Sequence, residues 1–127
     1  MSDFISKESE LSVEEAVAKV ESASVENGFG VINTLDLKAI MAKKGVEYGD
    51  AATVVEICQP HHAKSFLEKE PRVAPCLPCR IAITSKDGKT VVQTVRPTVM
   101  MQIFDNPEIA ELAKEIDAVV EKIVGSV

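Results

Sequence analysis

Val13, Ala16, Val17, Val20 and Ser24 recur at three- to four-residue spacing, the pattern of one buried stripe on a helix. Ser12 precedes the stripe and Glu15 stands three residues on. Together they form an S-x-x-E capping box, in which each side chain satisfies a free backbone N–H at the helix start. Asn27-Gly28 closes the helix, because glycine accepts the left-handed conformation at a helix end. From Phe29 to Leu35 the pattern changes to that of a strand, with Val31 and Ile32 β-branched and Phe29, Val31 and Leu35 assigned to one face. Asp36 is placed to cap a short second helix carrying Leu37, Ile40 and Met41 and stopped by Gly45. Ala52 to Cys58, rich in Val and Ile, reads as a largely buried strand.

Pro60 suits the first turn of a third helix, where its missing N–H has no partner to lose. That helix is expected to reach Lys69 and to bury Ala63, Phe66 and Leu67. Pro71, Pro75 and Pro78 predict an extended loop behind it. Arg80–Ser85 and Thr90–Val95 form a hairpin joined through Lys86-Asp87-Gly88-Lys89, since Asp-Gly takes the positive-φ turn that matches strand twist. Pro97 to Phe104 is expected as a short helix. Asn106 and Pro107 then cap and open the last helix, whose stripe runs Ile109, Leu112, Ala113, Ile116, Val119, Val120, Ile123 to Gly125. A strand before Ser12 is weakly patterned. No repeat, linker or low-complexity segment divides residues 1–127, so one domain is expected. Helices interleaved with an antiparallel hairpin give an α+β class, with helices packed mainly on one face of an antiparallel sheet.

Composition narrows the function classes. Hydrophobic residues make up 46% and charged residues 27% of the 127, which suits a folded chain that needs neither disulfides nor metal for stability. Twenty acidic against fourteen basic residues give a formal charge of −6, and the basic residues are scattered. A nucleic-acid partner is therefore not expected, and 4% aromatics with no Trp leave no base-stacking platform. No secretory pattern opens the chain and no stretch of ~18 apolar residues occurs, so a cytoplasmic location without a membrane partner is expected. The three cysteines are then expected as reduced thiols.

Several segments carry a family resemblance: Glu26-Asn27-Gly28-Phe29-Gly30-Val31, Leu35-Asp36-Leu37-Lys38, Ile57-Cys58-Gln59-Pro60 with Ala63, Leu77-Pro78-Cys79, Asp87-Gly88-Lys89-Thr90-Val91 and Asp105-Asn106-Pro107-Glu108. In this order the chain, from about Leu11 to Val124, resembles the domain-of-unknown-function 302 family. The resemblance implies a small TBP-like α+β fold, a label of topology alone, and a homodimer. It also implies cysteines at the positions of Cys58 and Cys79. His61, His62 and Cys76 depart from the family pattern. The family has no established activity, so no catalytic residue is carried over.

All three cysteines and both histidines fall between Cys58 and Cys79. Cys58, His61, Cys76 and Cys79 read as C-x-x-H and C-x-x-C separated by a loop, the usual encoding of zinc and iron–sulfur sites. Thiolate and imidazole favour zinc, copper(I), an iron–sulfur cluster or haem iron over magnesium or calcium. His62 stands ready to replace His61. A second reading is thiol chemistry. Cys58 precedes the Pro60 helix, whose N-terminus favours an anion and hence a thiolate, with His61 or His62 as base and Cys79 as resolving thiol. The C-x-x-C here leads into a strand, whereas the thioredoxin motif opens a helix. The third reading is a structural or interaction module. Val99-Met100-Met101 is expected in the core rather than as a soft-metal site. Arg80 and Arg96 end the hairpin strands and are expected to pair with carboxylates, an anionic ligand being the alternative. No Ser/His/Asp or paired-carboxylate arrangement stands out, so an enzyme is not the expected class.

Overall fold

In the computed structural model, which describes residues 2–127, five antiparallel strands form one sheet in the order β1-β5-β4-β3-β2. The strands are β1 (Phe4–Ser9), β2 (Gly30–Asp36), β3 (Ala52–Cys58), β4 (Cys79–Lys86) and β5 (Lys89–Val95), and the helices are α1 (Val13–Glu26), α2 (Leu37–Lys43), α3 (Pro60–Lys69), α4 (Pro97–Met100) and α5 (Pro107–Gly125). The class is the expected α+β.

The caps act as the sequence indicates. Ser12 Oγ accepts the Glu15 N–H at 3.1 Å while Glu15 Oε1 accepts the Ser12 N–H at 3.1 Å. Asp36 caps α2 and Asn106 caps α5. Asp87 and Gly88 take positive φ (53° and 76°) in the turn between β4 and β5. Burial alternates strictly along β3, with Thr53, Val55 and Ile57 buried. Val55, Ile57, Ile81, Ile83 and Val92 face Val20 of α1 and Ile109, Ile116 and Ile123 of α5, and this one layer of apolar contact is the core. The other face of the sheet keeps Phe4 at 46% and Val95 at 36% exposure.

Four local expectations are corrected. Phe29 is buried but lies before β2, and a bulge between Val31 and Asn33 shifts the register. Val31 pairs with Ile57 and Leu35 with Val54, residues of opposite parity on β3. Directly paired residues share a face, so the inserted residue turns Leu35 away from Val31. Thr34 then faces α1, where its Oγ1 donates to Glu21 Oε2 at 2.8 Å. Leu67 is 39% exposed, because α3 is amphipathic with only Phe66 fully buried. Pro71–Cys76 is a 3₁₀ helix rather than extended, with Val73 driven into the core. The segment after Pro97 is one α-helical turn followed by a 3₁₀ turn, Met101–Phe104, ended by Asp105 at φ 47°.

The weakly patterned first strand is real. It pairs with β5 from Phe4↔Val95 to Ser9↔Thr90. Its far side is tied to the end of α5: Lys7 Nζ donates to the Gly125 carbonyl at 2.8 Å and Ser9 Oγ to the Val127 carbonyl at 2.9 Å.

Candidate functional site

Cys58 is the last residue of β3, and the chain turns from it directly into α3. The Gln59 side chain caps that helix by accepting the His62 N–H at 3.0 Å. His62 stands in that first turn, its ring 6.0 Å from that of Phe29 and tilted by 57°. His62 Nδ1 is buried without a hydrogen-bond partner, alone in this among the side-chain N and O atoms of the described residues. An unpaired buried nitrogen costs about 1–3 kcal/mol, so it marks a place where a further group would be stabilised.

Cys79 begins β4 opposite Ile57, and the Leu77–Pro78 peptide before it is cis. Cys58, His62 and Cys79 line one pocket of about 20 Å³ together with Phe29, Phe66 and Ile116. Such a space admits a single water-sized atom. The three cysteines are free thiols. Burial, with the charge of Cys58 adding to it and Arg80 opposing, pushes the Cys79 thiol up to about 11. Cys79 is therefore a neutral S–H at physiological pH and no nucleophile.

The C-x-x-H and C-x-x-C quartet is not assembled as one cluster. His61 is exposed and does not line the pocket. Neighbouring helix positions differ by about 100° in direction, so His62 points inward where His61 does not. Cys76 ends the 3₁₀ helix and packs against the rim of the core. Among the described residues, no three His, Cys, Asp or Glu side chains converge in a metal-holding group. Strand parity explains part of this. Cys79 shares the covered face with Ile57 and Ile81, whereas Cys58 has the parity of Val54 and Glu56 and reaches the pocket only because its strand ends there.

Cys79 also borders a second cavity, of about 300 Å³, that the sequence reading did not anticipate. The β4–β5 ladder stops at Ala82↔Gln93, although each strand continues with its other neighbour, and the cavity opens between them. The available signal was Pro78 and Pro97 beyond the far ends of both strands, since proline cannot extend a ladder. Arg80 and Arg96 do not meet across this gap. Arg80 Nε donates to Glu56 Oε2 at 3.1 Å, and Arg96 bonds Asp117, Glu121 and the Ser2 carbonyl. Both thus pair with carboxylates, Arg80 through its Nε alone.

Fold and site together define a small α+β protein built on an antiparallel sheet, with a two-thiol, one-histidine pocket where β3 and β4 meet α3. The chain belongs to the DUF302 family: the model of that domain of unknown function matches residues 5–127. A solved structure described as an uncharacterised conserved protein DUF302 from Bacillus stearothermophilus superposes with a TM-score of 0.94 at 20% identity, covering 99% of this chain and 98% of that one. That likeness shows the fold. Among curated proteins none matches. Among the described residues no helix is long and apolar enough to cross a membrane.

Proposed function

We propose that this chain is a thiol-based carrier that holds a single sulfur atom on Cys58, with His62 and the neutral Cys79 as its hydrogen-bonding surroundings. The pocket that Cys58, His62 and Cys79 share carries this reading, because it offers room for one atom beside an unpaired imidazole nitrogen. In the reaction, the Cys58 thiolate attacks the outer sulfur of a donor persulfide. The donor S–S bond breaks, the donor leaves as a thiolate, and Cys58 becomes a persulfide. No electron acceptor is required, since one sulfur–sulfur bond replaces another. Cys79, kept protonated, donates a hydrogen bond and does not compete for the sulfur.

A reduced cytoplasmic setting and a homodimer go with this reading. A single soft metal ion is the second reading, favoured by the same unpaired His62 Nδ1 beside two thiols; the pocket has no room for an iron–sulfur cluster or haem, and Cys58, Cys79 and His62 would have to draw together around the ion, with His61 and Cys76 brought in only by rearrangement of α3 and the 3₁₀ helix.

The test is anaerobic incubation with a low-molecular-weight persulfide, followed by mapping of the added sulfur by peptide mass spectrometry. The expected product is a reductant-reversible gain of one sulfur atom on Cys58, absent from Cys58→Ser. Equal labelling of all three cysteines refutes the assignment. Metal analysis of the purified protein separates the second reading, which is abandoned below about a tenth of an equivalent of any metal.

A further inference from the structure

The cavity between β4 and β5 adjoins the thiol pocket at Pro78 and Cys79 but excludes Cys58 and His62, and its geometry is built rather than frayed. Beyond Ala82↔Gln93 the two strands part, yet β5 stays bonded to β1 as far as Phe4↔Val95 and β4 to β3 as far as Ile57↔Cys79. Thr94 Oγ1 donates to the Arg80 carbonyl at 2.6 Å, so a side chain spans the gap where the ladder is missing. Val54, Ile81, Val95, Met100 and Val120 give it apolar walls running through the sheet from the uncovered face to α5. At about 300 Å³ it lies at the lower end of small-molecule sites.

One cation stands at this cavity. Arg80 is half exposed, and only its Nε is engaged, by Glu56; among the described residues both terminal nitrogens lack partners. We propose that the cavity binds a small, mainly apolar carboxylic acid, its hydrocarbon part between the parted strands and its carboxylate on the free edge of the Arg80 guanidinium. A planar carboxylate matches that edge. The adjoining Glu56 and the net charge of −6 select a monoanion over a phosphate dianion.

The test is a titration of methyl-labelled full-length protein with sodium octanoate, followed by NMR, with 1-octanol as the uncharged comparison. Saturable shifts are expected at Met100, Val95 and Val54. Arg80→Gln is expected to weaken octanoate about tenfold and to leave octanol unchanged, the value of a charge-assisted hydrogen bond. Ala82→Phe, checked for an unchanged melting temperature, is expected to abolish both; Val95→Phe serves if that variant fails to fold. The proposal is overturned if no saturable shift appears at several millimolar, if shifts arise elsewhere while these methyls stay silent, or if Arg80→Gln changes nothing. Cys58→Ser is expected to abolish persulfide formation and to leave octanoate binding intact, so failure of either reading is distinguishable from failure of the other.

Discussion

Burial holds the Cys79 thiol at about 11 against an ordinary 9.0. A gap of about two pH units lowers the thiolate fraction near pH 8 about a hundredfold. Alkylation by iodoacetamide at pH 8 is therefore expected to be at least about a hundredfold slower at Cys79 in the folded protein than in urea, and its rate should keep rising with pH to about 11. The same displacement affects stability. Between about 9 and 11 the folded chain keeps a proton that the unfolded chain has released, so this stability is fully present below 9 and falls as pH rises, levelling off above 11. The total is about 3 kcal/mol at most. Urea midpoints from pH 7.5 upward, wild type against Cys79→Ala, isolate it as the part of the pH slope that the variant loses. Cys58→Ser removes the second cause of the displacement and is expected to lower the Cys79 midpoint part of the way, burial remaining. Folded Cys79 that alkylates at pH 8 as fast as in urea, or a Cys79→Ala slope identical to wild type, refutes the reasoning.

Three further outcomes are expected. Ser12→Ala removes one half of the α1 capping box and should cost about 1 kcal/mol by urea denaturation. Asp117→Ala removes the acceptor for the Thr98 N–H (3.1 Å) and Oγ1 (2.8 Å) and strips one partner from Arg96; with both charged side chains only 12–13% exposed and Glu121 still present, calorimetry should show a loss of about 2–3 kcal/mol. Ile116→Ala empties a fully buried position on α5 that borders the thiol pocket, with an expected cost of about 3 kcal/mol in the denaturation midpoint and faster Cys79 alkylation.

The features most legible in the sequence are those with local causes. The Ser12–Glu15 capping box and the Asp87-Gly88 turn each depend on residues within one turn of one another, and each is found where expected, whereas β3, read as largely buried, buries only every second residue. What was hidden depends on distant neighbours. Burial alternates along the edge strand Phe4–Ser9, but two of its three inward positions are the polar Lys7 and Ser9 and one outward position is Phe4, so hydrophobicity does not mark its faces. The bulge in β2 is set by its register against β3, and no composition signal accompanies it. The cysteine and histidine cluster was legible as a neighbourhood. Its membership was not, because spacing along the chain does not say that His62 turns inward beside Phe29 while His61 faces out, or that Cys76 is spent on packing.

The bonds from Lys7 and Ser9 to the carbonyls of Gly125 and Val127 each span 118 positions. A chain made on the ribosome from its N-terminus holds β1 ready while its final clamp is still unsynthesised. Until residues 125–127 emerge, β1 lacks both of these bonds, and its ladder partner β5 itself appears only late. The β2–β3–β4 unit with α1 can assemble earlier, which leaves the sheet edge beside β5 open during synthesis. A chain that has not yet reached Gly125 therefore carries its edge strand, β1, without these two anchors.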